Sequence, residues 1–392
     1  MLDAPADSDY AGTQPRNFDS WERSMSTAHD PHADSSSAAH EITDAEHWNR
    51  LALSAETDVH ERFGHRLMGI PGTWIGALRA LPDQPIPTSG ARPWSEWHYW
   101  WQAHYLDAIL DAASSALHAG ERSKARAEWK RAKQLLRGIL IRNFARFPNY
   151  FYDDMAWLLL AATRLNELCL QLSARPALLS TLAMRTLGRQ LLRGQDGKLG
   201  GGLYWSRRRD FKNTPSNGPA ALYFARIHDV QSSKRLLDWL RRNLHDERTG
   251  LYLDGIRLTA SGPQLEHAIY TYNQGTVLGA LLASGSAEHL AQAQSLIESI
   301  NVHLSDGDRG TGLRLDTGGD GDLFTGILCR YLALAARDRR LPAASQRTAA
   351  RLICLTAAQL ADRTETQLSA AIQRWTILQA AERVCHTGAQ CG

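Results

Sequence analysis

The feature that most constrains this chain is an alternation in the length of the connections between its helical segments. Past residue 43, apolar residues recur at the helical period through twelve segments: 46–68, 95–118, 121–144, 153–171, 176–193, 218–228, 231–244, 265–283, 286–303, 321–337, 342–361 and 366–384. Convincing strand alternation is nearly absent. Connections after the first, third, fifth, seventh and ninth segments are long, whereas those after the even-numbered ones are a few residues. Successive antiparallel helices put alternate connections at opposite ends, so the long loops are expected on one rim.

Composition alternates in step. Segment 121–144 carries Glu121, Arg122, Lys124, Arg126, Glu128, Lys130, Arg131 and Lys133, while 153–171 runs Met155-Ala156-Trp157-Leu158-Leu159-Leu160-Ala161-Ala162. The first pattern suits an outer helix and the second an inner one. The same contrast separates 231–244 from 218–228 and 286–303 from 265–283. Two concentric rings meet this requirement, so the pattern predicts an all-α (α/α)6 barrel, a toroid of six inner and six outer helices. A helical-repeat solenoid competes with it and would show a fixed sequence period, which is not visible.

Residues 1–43 are rich in Ser, Asp, Ala, His and Pro and read as a disordered tail, with one domain over 44–386 and a short tail at 387–392. A formal charge of +3 is too small to call for a polyanionic partner, so nucleic acid is not expected. No segment reaches membrane-spanning length without charges, so membrane insertion is not expected either. Five cysteines, with Cys169, Cys329 and Cys354 in apolar helical runs, suit a reducing compartment. The opening Met1-Leu2-Asp3-Ala4-Pro5 has no basic segment followed by an apolar one. A cytoplasmic location follows as the expectation, or secretion if a native leader has been removed.

On the predicted long-loop rim the inner helices begin, and five distinctive clusters fall there: Trp94-Ser95-Glu96-Trp97-His98-Tyr99-Trp100-Trp101-Gln102; Tyr152-Asp153-Asp154-Met155-Ala156-Trp157; Gly200-Gly201-Gly202-Leu203-Tyr204-Trp205 with Lys212-Asn213-Thr214-Pro215-Ser216-Asn217; Tyr270-Thr271-Tyr272-Asn273-Gln274-Gly275; and Gly321-Asp322-Leu323-Phe324-Thr325-Gly326. Asp153 and Asp154 stand out. Cleaving a glycosidic bond needs one ionised and one protonated carboxyl, about 5 Å apart in retaining enzymes. Neighbouring α-carbons lie about 3.8 Å apart, and successive helical side chains diverge by about 100°, so an adjacent pair meets that spacing. A helix start favours charge on the nearer carboxylate, while repulsion and the neighbouring Tyr152 and Trp157 raise the other. Capping the helix is the competing role for the pair. Its company favours chemistry, because tryptophans stack on sugar faces and Asn213, Asn217, Asn273 and Gln274 offer donors and acceptors for vicinal hydroxyls.

Metal and phosphate sites are less well supported. His60, Glu61 and His65 lack the i, i+4 histidine spacing of a zinc protease, and the tail histidines His29, His32 and His40 suit a solvated segment. Asp306, Asp308, Asp316, Asp320 and Asp322 lack the EF-hand spacing and its terminal Glu. Gly200–Gly202 is not a phosphate-binding fingerprint. The run Ser206-Arg207-Arg208-Arg209-Asp210-Phe211-Lys212 is strongly basic, which suits an exposed loop or a substrate carrying phosphate or a charged lipid headgroup.

At these residues the chain resembles glycoside hydrolase family 76, the endo-α-1,6-mannanases, over about residues 46–384. Carrying the resemblance are Trp100-Trp101-Gln102, Asp153-Asp154-Met155-Ala156-Trp157, Gly201-Gly202-Leu203-Tyr204-Trp205, Lys212-Asn213-Thr214, Ser216-Asn217 and Tyr272-Asn273-Gln274-Gly275. The resemblance implies a retaining hydrolase of α-1,6-linked mannan or mannooligosaccharide that uses no cofactor and no metal. It implies Asp153 as nucleophile and Asp154 as acid/base, an order the residues alone leave open. Trp101, Gln102, Tyr152, Trp205, Asn213, Asn217, Tyr272, Asn273 and Gln274 are then expected to line the sugar subsites or to brace the loops that do. A transglycosidase with the same site, and a catalytically silent glycan-binding protein, are the alternatives.

Overall fold

A computed structural model of the protein describes residues 45–80, 96–173, 175–305 and 312–385. The expected tails 1–43 and 387–392, Trp94 and Ser95, and Asp306 and Asp308 lie outside them. Twelve α-helices are found among the described residues: α1 Ala45–Arg62, α2 Tyr99–His118, α3 Arg122–Arg142, α4 Tyr152–Ser173, α5 Leu178–Arg193, α6 Thr214–Arg226, α7 Val230–Asn243, α8 Thr271–Ser284, α9 Ala287–His303, α10 Phe324–Arg337, α11 Ala343–Ala358 and α12 Leu368–Cys385.

The even-numbered helices form a closed inner ring, each packing on the next from α2 through α12 and back to α2. The odd helices sit outside, with α3 on α2, α5 on α4, α7 on α6, α9 on α8, α11 on α10 and α1 on α12. The chain therefore folds as the (α/α)6 barrel that its patterning predicts. Inner helices are buried on nearly every side, as in α6 and α12, whereas α7 buries Leu236, Leu237, Trp239 and Leu240 and turns Arg241 and Arg242 outward. Outer helices start on side-chain caps where the residue type allows: Asp229 accepts from the Ser232 amide and Ser286 from that of His289. In the inner ring, a Cβ on Gly275 would come within 2.9 Å of the Leu328 α-carbon, so glycine lets α8 and α10 approach.

Three of the boundaries that differ from the sequence pattern have a local cause. The first helix ends at Arg62 in place of residue 68, because Gly64–His65 pairs as a strand with Ile75–Gly76. Helix α6 starts four residues early, at Thr214, since Pro215 in its first turn gives up an amide that the helix would leave unpaired anyway. Helix α8 starts at Thr271 because residues expected to open it belong to a hairpin. That hairpin joins the strands Gly255–Thr259 and Gly262–Glu266, and the first of them also pairs with Phe211–Asn213 in an antiparallel three-stranded sheet.

Lower in the ring, an ion cluster joins four inner helices. Asp111 on α2 accepts from Arg330 Nε at 2.7 Å, Arg164 Nη2 at 2.6 Å and Arg383 Nη1 at 3.1 Å, and Arg164 also reaches Asp107 at 2.6 Å. Burial works against charge on Asp111, yet the three guanidiniums hold its carboxyl far below the ordinary value. No helix among the described residues is long and apolar enough to cross a membrane.

Candidate active site

The site is built where α4 begins. Asn149 accepts the Phe151 amide at 3.1 Å through Oδ1 and donates from Nδ2 to Asp154 Oδ2 at 2.6 Å. The next turn places Asp153, whose Oδ1 accepts the Asp154 amide at 2.9 Å and whose Oδ2 accepts Trp205 Nε1 at 2.9 Å. The backbone of Tyr152 donates to the Trp205 carbonyl at 2.7 Å, tying the two loops together.

Trp205 is positioned by the glycine run before it. Gly202 sits at φ +83°, and a Cβ there would lie 2.5 Å from the Trp239 indole. Both the left-handed backbone and the close approach require glycine. Asn217 then clamps Leu203, accepting its amide at 2.7 Å and donating to its carbonyl at 2.9 Å. Lys212, fully buried, donates to Asp196 Oδ1 at 2.8 Å and to the carbonyls of Lys198 and Gly201 at 2.7 and 2.6 Å. Sequence grouped Lys212 with the exposed basic run; its ammonium is a strut for the glycine loop.

Above these residues opens a cleft of about 980 Å³. Tyr272 and Phe324 stack at 4.0 Å with planes 12° apart, and Trp157 lies 6.2 Å from Tyr272, giving one aromatic wall. Trp205 with Phe151 and Phe211 forms another. Flat apolar faces beside hydrogen-bonding edges suit a sugar ring, which has C–H faces and hydroxyl edges. Charged groups on the lining are mostly carboxylates: Asp153, Asp154, Asp254, Asp316, Asp320 and Glu266, with Arg257 bonded to Glu266 at 3.1 Å.

Burial pushes both carboxyls above their ordinary range, Asp153 well above it with the charge of Asp154 adding to the effect, and Asp154 to about 7, opposed by the Asn149 hydrogen bond and joined by the charge of Asp320. Two N–H donors on Asp153 favour carrying the pair's negative charge there. Burial likewise pushes Asp254 up to about 6, against a hydrogen bond from Asn273 at 3.3 Å. Beneath the cleft His104 lies between Trp100 and Trp157, and burial, then Arg330, lower it to about 3, so it is neutral.

Of the residues singled out in the sequence, Asp153, Asp154, Trp205, Asn213 and Tyr272 line the cleft. The other six lie behind it. Trp101 is buried and donates from Nε1 to Asp320 Oδ1 at 2.7 Å, beside a 3.0 Å bond from Trp100, so it holds a lining carboxylate. Tyr152 is buried under Gly194. Gln102, Asn217 and Gln274 are fully buried, each amide bonded to both backbone groups of one residue: Gly76, Leu203 and Tyr252 respectively. These three brace loops in place of lining subsites, because spare amide groups in a protein interior must find backbone partners. Asn273 is buried and acts through Asp254.

Asp254 was not singled out in the sequence, where one aspartate in the long 244–270 connection carries no signal beyond its rim position. Asp320, Phe324, Trp100 and Trp157 fall within or beside the quoted clusters but were not picked as site residues. As a metal grouping, Glu56, His60 and Glu128 have ligand atoms within 4.8 Å of one another among the described residues, away from the cleft. Lys124 at 3.3 Å from Glu56 and Arg131 at 2.7 Å from Glu128 already supply positive charge there.

The family model for glycosyl hydrolase family 76 matches residues 81–388. Among solved structures, an α-1,6-mannanase of Salegentibacter sp. HEL1_6 superposes with a TM-score of 0.71 at 26% identity, covering 85% of this chain and 98% of that one. An inactive variant of that enzyme, with two consecutive aspartates changed to asparagine and α-1,6-mannotriose bound, gives a TM-score of 0.72 at 25% identity, covering 86% and 99%. A family 76 glycoside hydrolase from a bovine Bacteroides thetaiotaomicron strain shares the fold at a TM-score of 0.66 and 15% identity, over 89% and 79%. Among curated proteins none matches the chain.

Proposed function

The chain belongs to glycosyl hydrolase family 76, and from that premise we propose that this glycoside hydrolase cleaves α-1,6-mannosidic bonds within mannan or mannooligosaccharide chains, with retention at the anomeric carbon. The observation that carries the reading is the unlike bonding of the two adjacent carboxylates: Asp153 accepts two N–H donors, while Asp154 accepts one. Asp153-Asp154 is also the one place in the chain where two aspartates adjoin, and replacing two consecutive aspartates accompanies inactivity in the Salegentibacter relative.

In this mechanism the ionised Asp153 attacks the anomeric carbon as the glycosidic bond breaks, and protonated Asp154 gives its proton to the departing oxygen. Asp154, now ionised, takes a proton from water, whose oxygen displaces Asp153 from the sugar and restores both groups. Tyr272, Trp157 and Trp205 supply ring faces, and Asn213 and Asp254 supply polar edges for hydroxyls. The carboxylate-rich lining favours a neutral hexose over an anionic sugar.

The test compares the wild type with Asp153→Asn and Asp154→Asn on α-1,6-mannan and α-1,6-mannooligosaccharides, with the first-formed anomer read by NMR. Retained configuration and loss of turnover in both variants are expected. Full activity in either variant, or an inverted product, overturns the assignment; products longer than the substrate assign transfer in place of hydrolysis.

A further inference from the structure

One side of the cleft mouth differs from its interior in both charge and exposure. Hydrogen bonds join three segments there into one surface. The Phe151–Ser206 bridge and the bond from the Arg207 amide to the Tyr150 carbonyl at 3.1 Å connect loop 143–151 to loop 206–209, and Arg209 Nη2 reaches the Arg193 carbonyl at the end of α5 at 2.6 Å. This lip exposes Arg146, Arg193, Arg207, Arg208 and Arg209. Asp210 bonds Arg208 at 2.8 Å, yet that arginine side chain remains 71% exposed.

Large apolar side chains stand among these cations. Phe144 is 69% exposed and Tyr150 48%. Phe144 and Ala145 hold consecutive left-handed conformations, φ +56° and +57°. Such backbone is strained for a non-glycine residue, and here it projects an aromatic ring into solvent. Exposed aromatics interleaved with cations are the pattern of surfaces that rest at a bilayer interface.

We propose that this lip docks the enzyme peripherally onto an anionic phospholipid bilayer, with the cleft opening beside the membrane. A single soluble phosphate would be held by donors converging on one point. These guanidiniums are spread over three segments and exposed to solvent, which matches a plane of headgroup charges. The carboxylate-lined interior repels the same anions, so charge stops at the lip and a neutral glycan standing on the lipid surface enters the cleft.

The experiment is sedimentation of the full chain with vesicles of phosphatidylcholine alone and of phosphatidylcholine mixed with phosphatidylglycerol. The wild type is expected to pellet with the anionic vesicles only and to be released by high salt. Each arginine removed should weaken binding about fivefold, so Arg146→Ala/Arg207→Ala/Arg208→Ala together should lose about a hundredfold, and Phe144→Ser several-fold. Unchanged melting temperatures show that the variants fold. Pelleting with both vesicle types or neither, a triple variant that binds like the wild type, or full displacement by millimolar inorganic phosphate overturns the proposal, the last by assigning a discrete phosphate site. Because sedimentation reads no turnover, its failure leaves the glycosidase assignment standing, and the reverse holds too.

Discussion

The indole nitrogen of Trp205 donates to Asp153 Oδ2 at 2.9 Å, across fifty-two residues of sequence, while the opposite oxygen of the same carboxylate accepts the Asp154 amide. Both oxygens are thereby fixed, and the donors favour charge on Asp153.

Trp205→Phe keeps the ring and removes the donor. A hydrogen bond to a charged group contributes about 1.5–3 kcal/mol, so kcat on an α-1,6-mannooligosaccharide should fall between tenfold and a hundredfold. The acid limb of the pH–rate profile should also move to higher pH, since Asp153 becomes harder to ionise. A profile that keeps its shape would remove Trp205 from this role.

Asp154, raised to about 7, is protonated below that pH and loses its proton above it, so activity should decline on the alkaline side from near neutrality. Asn149 holds this value down through its bond to Asp154. Asn149→Ala should therefore shift the alkaline limb upward, as pH-dependent kcat/KM measurements would show.

The same carboxyl links stability to pH. Its folded value near 7 exceeds the ordinary one near 3.8, so the folded state binds the proton more tightly between them. Its stabilising contribution is complete below about pH 4 and is lost as pH rises toward 7. Asp154→Asn removes that decline. The variant should gain stability over the wild type on going from pH 5 to pH 8, by up to about 2.7 kcal/mol, read from denaturation midpoints at both values.

Asp254 tests the cleft lining away from the pair. Asp254→Asn keeps the shape and removes an acceptor; kcat/KM for the oligosaccharide should drop about tenfold or more with little change in melting temperature. An unaltered kcat/KM would show that no hydroxyl meets it.

Lys212→Met leaves the Asp196 carboxylate and two carbonyls without their ammonium. Breaking one partner of a buried ion pair costs about 3–5 kcal/mol, discounted here because Asp196 is partly exposed. A melting temperature several degrees lower is expected, with a matching loss of turnover as Trp205 loosens.

How much of this was legible in one dimension depends on length scale. The two rings follow from helical period and loop alternation, because α4 and α3 advertise their surroundings over many residues. Start points were less legible: the helical pattern opens at 218, whereas α6 begins four residues earlier, at Thr214. Side-chain direction was least legible. Asn213 lines the cleft and Asn217, one turn on, clamps Leu203, although both are asparagines on the same rim. Asp254 depends wholly on a hairpin too short to pattern the sequence.

The arginine cluster around Asp111 has a consequence for traffic. By knotting α2, α4, α10 and α12 together below the cleft, it makes the barrel a cul-de-sac in place of a tunnel. On the proposed reading, a mannan chain would then settle sideways over the mouth in place of being reeled through the ring, and both fragments would leave the way they came.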